Sequence, residues 1–248
     1  MNLGLQGRTA IVCGASSGMG LAIAEALVAE GANVAMFARR RDILEREAER
    51  LGALAVRGDL TVPADLEKLV ERTVRAFGGV DVLVNNGGGP PRGSALGLDA
   101  SDLEAAVELL LFPVVRLTNL CLPHLERSGR GRIVNIESSS VREPIDGLAL
   151  SNAVRPGVVG WAKTLAREVA AGGITVNTIA PGLIDTDRLA SGFSGSDARE
   201  RAAAELPMGR FGTPAEIAHV VCFLASDRAS YLTGAVVPVD GGLGRSLL

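Results

Sequence analysis

Phenol and ammonium side chains are nearly missing from this chain. Its 248 residues contain one tyrosine, Tyr231, and two lysines, Lys68 and Lys163, so no Tyr-x-x-x-Lys pair exists anywhere in it. Histidine is equally scarce, with His124 and His219 alone. Cys13, Cys121 and Cys222 are far apart and follow no CxxC or Cys/His spacing. That argues against a structural zinc site and fits reduced, buried thiols in a cytoplasmic protein. Positive charge is not in excess: the net charge is −3, which disfavours a nucleic-acid partner. No uninterrupted apolar run of membrane-spanning length is evident, so no membrane partner is expected. The strand-like run Arg8 to Cys13 starts too early to leave room for a signal peptide.

What is present is an apolar chain (47%) with no low-complexity stretch or polar linker, so residues 1–248 are expected to form one domain. Nearly continuous apolar runs recur at Thr9–Cys13, Asn33–Ala38, Ala53–Arg57, Val80–Val84, Arg132–Ile136, Thr175–Ile179 and Ala235–Val239. Runs of that kind suit strands covered on both faces. Between them lie helical patterns at Gly18–Ala29, Asp42–Leu51, Ala64–Phe77, Ser101–Glu126, Pro156–Ala170 and Pro214–Ala225. Thr213-Pro214-Ala215-Glu216 is a clear helix start, with a threonine cap, proline first and glutamate third. The alternation predicts an α/β fold: a Rossmann-type doubly wound parallel sheet of about seven strands, with ligands beyond the carboxyl ends of the strands.

The turn Cys13-Gly14-Ala15-Ser16-Ser17-Gly18-Met19-Gly20 follows the first strand and opens the first helix. Glycines let a backbone approach a pyrophosphate, which the helix N-terminus holds through its free N–H groups and dipole. At the end of the second strand comes Ala38-Arg39-Arg40-Arg41, with no acid until Asp42. A carboxylate there would suit the ribose of NAD, whereas arginines suit a 2′-phosphate. Arg39, Arg40 and the Ser17 hydroxyl therefore favour NADP (NADPH) over NAD.

Together these residues resemble the classical short-chain dehydrogenase/reductase family, and within it the 3-oxoacyl-carrier-protein reductases, over essentially the whole chain. Asp59-Leu60 is similar to the family's adenine-contacting segment. Asn85-Asn86-Gly87-Gly88 resembles its Asn-Asn-Ala-Gly segment, with Gly87 in the alanine place. Gly131-Arg132-Ile133-Val134-Asn135-Ile136 resembles the strand leading to the substrate-orienting serine, which falls on Ser138. Ala180-Pro181-Gly182, with Ile184 and Thr186, resembles the segment that meets the nicotinamide. The tail through Pro214-Ala215-Glu216-Ile217-Ala218 and Asp240-Gly241-Gly242 also follows the pattern. The resemblance implies an oxidoreductase that moves hydride between nicotinamide and a small-molecule carbonyl or alcohol.

The departures fall on the acid–base residues. Counting from Ser138, the resemblance places Ser151 at the family's catalytic tyrosine and Arg155 at its lysine. Leu110 falls where an asparagine holds a relay water. Serine is a far weaker acid than a phenol, and arginine stays protonated and cannot relay a proton. Losing a general acid removes roughly 10²–10⁴-fold in rate, so slow reduction stays physically allowed. Pro156 lacks an N–H and disfavours helical geometry at Arg155. It predicts a helix starting at Pro156, with Ser151–Arg155 displaced from the family's active-site geometry. Glu143 is a candidate proton donor, whereas Glu137, beside Ser138 on a strand, is expected to face away from it toward the surface or a helix. Ser139 and Ser140 are expected to be loop hydrogen-bonders, and His124 structural.

Three functions remain open from the sequence: an NADP-dependent oxidoreductase with a non-standard proton donor, a catalytically silent nucleotide binder, and a structural subunit that binds no nucleotide. The segment 187–207, with Phe193 its only aromatic, is the expected substrate loop and names no substrate. Apolar Leu109–Leu111 and Val114–Val115 predict a homo-oligomer, tetramer or dimer, as in the family.

Overall fold

The apolar runs become strands because each can pair on both sides and be covered on both faces. In a computed structural model, which describes residues 2–192 and 196–247, seven parallel strands form one sheet in the order β3-β2-β1-β4-β5-β6-β7. Along the chain these are β1 (Thr9–Cys13), α1 (Gly18–Ala29), β2 (Asn33–Ala38), α2 (Arg41–Leu51), β3 (Leu54–Arg57), α3 (Pro63–Phe77) and β4 (Val82–Asn86). There follow α4 (Ala100–Leu110), α5 (Phe112–Ser128), β5 (Arg132–Ile136), α6 (Ala149–Val169) and β6 (Thr175–Pro181). The last elements are α7 (Asp187–Ala190), α8 (Ser196–Ala204), α9 (Pro214–Ala225) and β7 (Val236–Val239). The order reverses between β1 and β4, where ligands settle in sheets of this class. Phe193 lies outside the described residues.

Two cores sandwich the sheet. On one side α1 and α9 interlock through Ile23, Leu27, Ile217 and Val221. On the other, α3, α5 and α6 contribute Leu66, Leu69, Leu117 and Leu165. Each such side chain is worth about 1.5–3 kcal/mol when fully buried. The three cysteines are free and buried.

Three expectations need correction. β4 begins at Val82 and not at Val80, because Asp81 caps the neighbouring strand: its carboxylate accepts the Thr9 N–H at 2.8 Å, and the ladder with β1 starts at Ala10 and Val82. The long helix is two helices meeting at Leu111, with Pro113 in the first turn of α5, where its missing N–H costs nothing. Taken together, the Ala100–Ser128 stretch is long and apolar enough to cross a membrane by length and composition. It nevertheless buries Leu110, Leu117, Cys121 and Leu125 in the core, and it carries a Glu108–Arg116 ion pair at 3.1 Å.

The third correction concerns Pro156. α6 runs unbroken from Ala149 to Val169 with Pro156 inside it, so Ser151–Arg155 is helical and not displaced. One missing backbone bond is outweighed by the buried stripe Leu150, Ser151, Val154, Arg155 and Val158. The proline ring itself faces outward.

Candidate active site

Gly14, at φ +63°, turns the chain out of β1, and a Cβ on Gly20 would sit 2.2 Å from the Gly14 carbonyl oxygen. Only glycine fits both places, and the result is a turn pressed flat against the start of α1. Ser17 precedes that helix in extended conformation without capping it, and no acidic residue occupies the first turn. By contrast α4 and α9 close their N-termini with capping boxes built on Asp99 and Thr213. Among the described residues the N–H groups at Gly18, Met19 and Gly20 therefore have no side-chain partner, as an anion site needs.

Arg40 reaches this turn from the end of β2, donating to Ser17 Oγ at 2.6 Å and Ser16 Oγ at 3.3 Å. Arg39 lies 3.8 Å from the Asp59 carboxylate. Asp59 accepts from the Thr61 N–H at 3.0 Å and from its hydroxyl at 2.9 Å, and the Thr61 backbone bond above all holds this carboxyl below its usual range.

At the end of β4 the two asparagines part company. Asn85 turns inward, donating to Asn135 Oδ1 at 2.8 Å and Thr118 Oγ1 at 3.3 Å. Asn86 turns toward the glycine turn and donates to the Cys13 carbonyl at 3.0 Å. Within the Asn85-Asn86-Gly87-Gly88 segment Asn85 was expected at the cofactor, yet the two-residue period of a strand puts the two asparagines on opposite faces and Asn86 on the side of the glycine turn. Leu60 and Gly87 meet beyond them, with Leu60 Cδ1 3.6 Å from where a Gly87 Cβ would stand.

A cleft of about 940 Å³ opens beyond the ends of β4, β5 and β6. It brings together Met19, Gly87, Ser138, Ser151, Arg155, Pro181, Gly182, Ile184 and Thr186, all singled out from sequence. Gly14, Ser16, Ser17, Gly18, Gly20, Arg39, Arg40 and Asp59 lie outside its lining, toward β2 and β3. Gly182 packs against Asp240, and Thr186 caps α7 by accepting the Leu189 N–H at 3.3 Å.

Arg155 occupies the floor of the cleft and is fully engaged. Its Nε donates to Ser151 Oγ at 3.0 Å, Nη1 to Glu137 Oε2 at 2.8 Å and Nη2 to the Gly88 carbonyl at 3.0 Å. Ser151 Oγ also pairs with Ser140 Oγ at 3.3 Å, and Ser138 Oγ accepts the Ser140 N–H at 3.2 Å. Glu137 is helix-facing and buried, not on the surface. Burial pushes its carboxyl up to about 7, against the pull of the Arg155 charge and hydrogen bond. Glu143 lines the cleft too, with its carboxylate accepting the Arg245 N–H at 2.6 Å. Leu110, on the far side, closes a small cavity of about 20 Å³ shared by Glu137 and Arg155.

A family model described as enoyl-(acyl carrier protein) reductase matches residues 14–244. The chain is also 37% identical over 243 residues to the 3-oxoacyl-[acyl-carrier-protein] reductase FabG of Escherichia coli, covering 97% of this chain and 99% of that one. The chain belongs to the short-chain dehydrogenase/reductase family. Another relative, the FabG of Thermotoga maritima, is 36% identical over 244 residues, covering 96% and 98%. The family's architecture extends through the whole chain: L-sorbose reductase from Gluconobacter frateurii, solved with NADPH and L-sorbose, superposes with a TM-score of 0.93. It is 34% identical, with both chains covered completely. The residues present here fit such a dinucleotide, since the uncapped α1 N-terminus and Arg40 offer donors without an opposing carboxylate.

Proposed function

We propose that this chain is an NADP-dependent oxidoreductase acting on a small carbonyl or alcohol, with Ser151 and Arg155 standing where the family places its tyrosine and lysine. The observation that carries the reading is the open N-terminus of α1 beside the Arg40–Ser17 bond, a site for a pyrophosphate next to a site for a 2′-phosphate. NADPH, when bound, supplies hydride. Gly14, Gly18 and Gly20 shape the turn that admits the pyrophosphate, and Asp59 and Leu60 border the base. Asn86, Gly87, Pro181, Gly182, Ile184 and Thr186 border the nicotinamide end. The Ser138 hydroxyl accepts from the Ser140 N–H, which leaves its own hydrogen for a substrate oxygen. Arg155 fixes the floor of the cleft through its bonds to Ser151, Glu137 and Gly88.

A second reading, a silent nucleotide binder, is favoured by two observations: each nitrogen of Arg155 already has a protein partner, and Tyr231 stands fully exposed and outside the cleft lining. Calorimetric titration with NADPH and NADH, followed by cofactor oxidation against a carbonyl panel, separates the two. Binding of NADPH at least tenfold tighter than NADH, with turnover on any carbonyl, supports the enzyme. Tight binding without turnover supports the silent binder, and no binding of either nucleotide sinks both.

Exposed Leu103 and Phe112 on the α4–α5 pair, with β7 at the sheet edge, support a homo-oligomer. The three buried free thiols fit a reducing, cytoplasmic setting.

A further inference from the structure

The acid–base problem posed by a site without tyrosine has an answer within the site. Glu137 follows β5 directly, beside Ser138, and lines both the large cleft and the 20 Å³ cavity behind it. It shares this position with Asn86, Gly87, Ile136 and Arg155, which also line both. Only one of its oxygens, Oε2, is taken by Arg155; Oε1 accepts no hydrogen bond from any described residue. The other cleft carboxylates are differently placed. Glu143 is held by the Arg245 N–H, and Asp240 accepts from Gly242 and Gly244. Asp146 and Glu205 are solvent-exposed.

We propose that the Glu137 carboxyl hands the proton to the substrate oxygen during carbonyl reduction. The inference rests on the reductase reading above. Hydride adds to the carbonyl carbon, the C=O π pair moves onto oxygen, and that oxygen takes the Glu137 proton. The substrate becomes the alcohol, the nicotinamide is left oxidised, and Glu137 becomes a carboxylate beside Arg155. The carboxylate regains its proton from solvent through the large cleft, which Glu137 also lines. Arg155 stabilises the anion formed, so the pair acts as acid and counter-ion in place of phenol and ammonium.

Burial holds this carboxyl near neutrality, where a general acid is most effective. The groups around it are few. Arg155 comes from α6, and Arg188 from α7 lies near Arg155. Across the small cavity is the Cys13 thiol, which burial pushes up to about 12, so it stays neutral.

The test compares wild type, Glu137→Gln and Arg155→Gln. In wild type the reduction rate is expected to fall as pH rises through about 7. Glu137→Gln is expected to keep NADPH binding but lose about 100-fold or more in kcat, with that limb abolished. Arg155→Gln removes the counter-ion, so the limb is expected to move about one pH unit or more upward. A readout independent of turnover is proton release on binding oxidised NADP near pH 7, measured by calorimetry in buffers of different ionisation enthalpy. The cationic ring is expected to displace about half a proton from wild type and none from Glu137→Gln. Unchanged pH profile and proton release in Glu137→Gln would overturn the proposal and leave the pair purely structural. Wild type that binds NADPH yet turns over no carbonyl would overturn the reductase reading and, with it, the proposal. Intact turnover in a bound Glu137→Gln would overturn the proposal alone.

Discussion

Arg40 donates to the Ser17 hydroxyl at 2.6 Å, tying the end of β2 to the glycine turn that opens α1. The bond holds a guanidinium over the place where a nucleotide 2′-phosphate would meet the turn. Charge-assisted hydrogen bonds contribute about 1.5–3 kcal/mol each. Arg40→Glu is therefore expected to weaken NADPH binding by about 10- to 100-fold and to leave NADH binding within a few-fold of wild type. Fluorescence titration with both nucleotides checks this, and equal losses for the two would remove Arg40 from phosphate recognition.

Gly20 gives a test of the turn itself. A Cβ at that position meets the Gly14 carbonyl at 2.2 Å and the Asn86 side chain at 2.8 Å, neither of which is a free flexible end. Gly20→Ala must push the turn off Asn86 and is expected to cost about 1–3 kcal/mol of stability. Nucleotide binding should fall with it. Thermal unfolding with and without NADPH reads both effects, and a variant with wild-type melting and affinity would show that the turn yields freely.

The Glu137 carboxyl makes stability depend on pH in an unusual direction. Its folded pKa is raised from 4.5 to about 7, so the folded chain binds this proton more tightly than the unfolded one. The corresponding stability is fully present below the ordinary carboxyl range and is lost as pH rises through about 7. The loss is on the order of 3 kcal/mol at most. Between pH 5 and pH 8 the wild type is expected to lose ground against Glu137→Gln by several degrees in Tm. Parallel melting curves for the two proteins would contradict the raised pKa.

Pro156 should be dispensable. It projects outward from the middle of α6 and leaves the Asn152 carbonyl without its helical donor. Pro156→Ala restores that bond and is expected to stabilise the fold by about 1–3 kcal/mol without changing nucleotide affinity. Denaturant unfolding checks the first part and titration the second. A loss of stability would mean that the proline is compensated elsewhere.

The sheet was legible because its strands are apolar on both faces and its turns are marked by glycine. β1, β2, β5, α1 and α9 fall where their residue patterns place them. The glycine turn and the β6 segment were legible for the same reason, since both lie next to such strands. α6 was misread because proline's local preference is only one contribution among many. Leu150, Ser151, Val154 and Val158, with the Arg155 guanidinium bonded at three nitrogens, outweigh one missing N–H. Asn85 and not Asn86 was assigned to the cofactor because the segment was matched as a string without asking which face each residue presents. Glu137 was set aside because strand alternation was expected to turn it away from Ser138; β5 ends at Ile136, so both line the cleft, and Glu137 meets a helix residue 18 positions away.

Glu137, Arg155, Ser151 and Ser140 form one bonded chain, and that constrains how such a pocket can change. Swapping any single link strands a buried charge or an unsatisfied hydroxyl, at a cost of about 3–5 kcal/mol for the ion pair. Installing tyrosine at 151 alone would wedge a ring against the guanidinium, and installing lysine at 155 alone would leave the serine and the Gly88 oxygen reaching for nothing. A change at one link of this floor is therefore expected to be felt at the other three, and paired changes to be tolerated better than single ones.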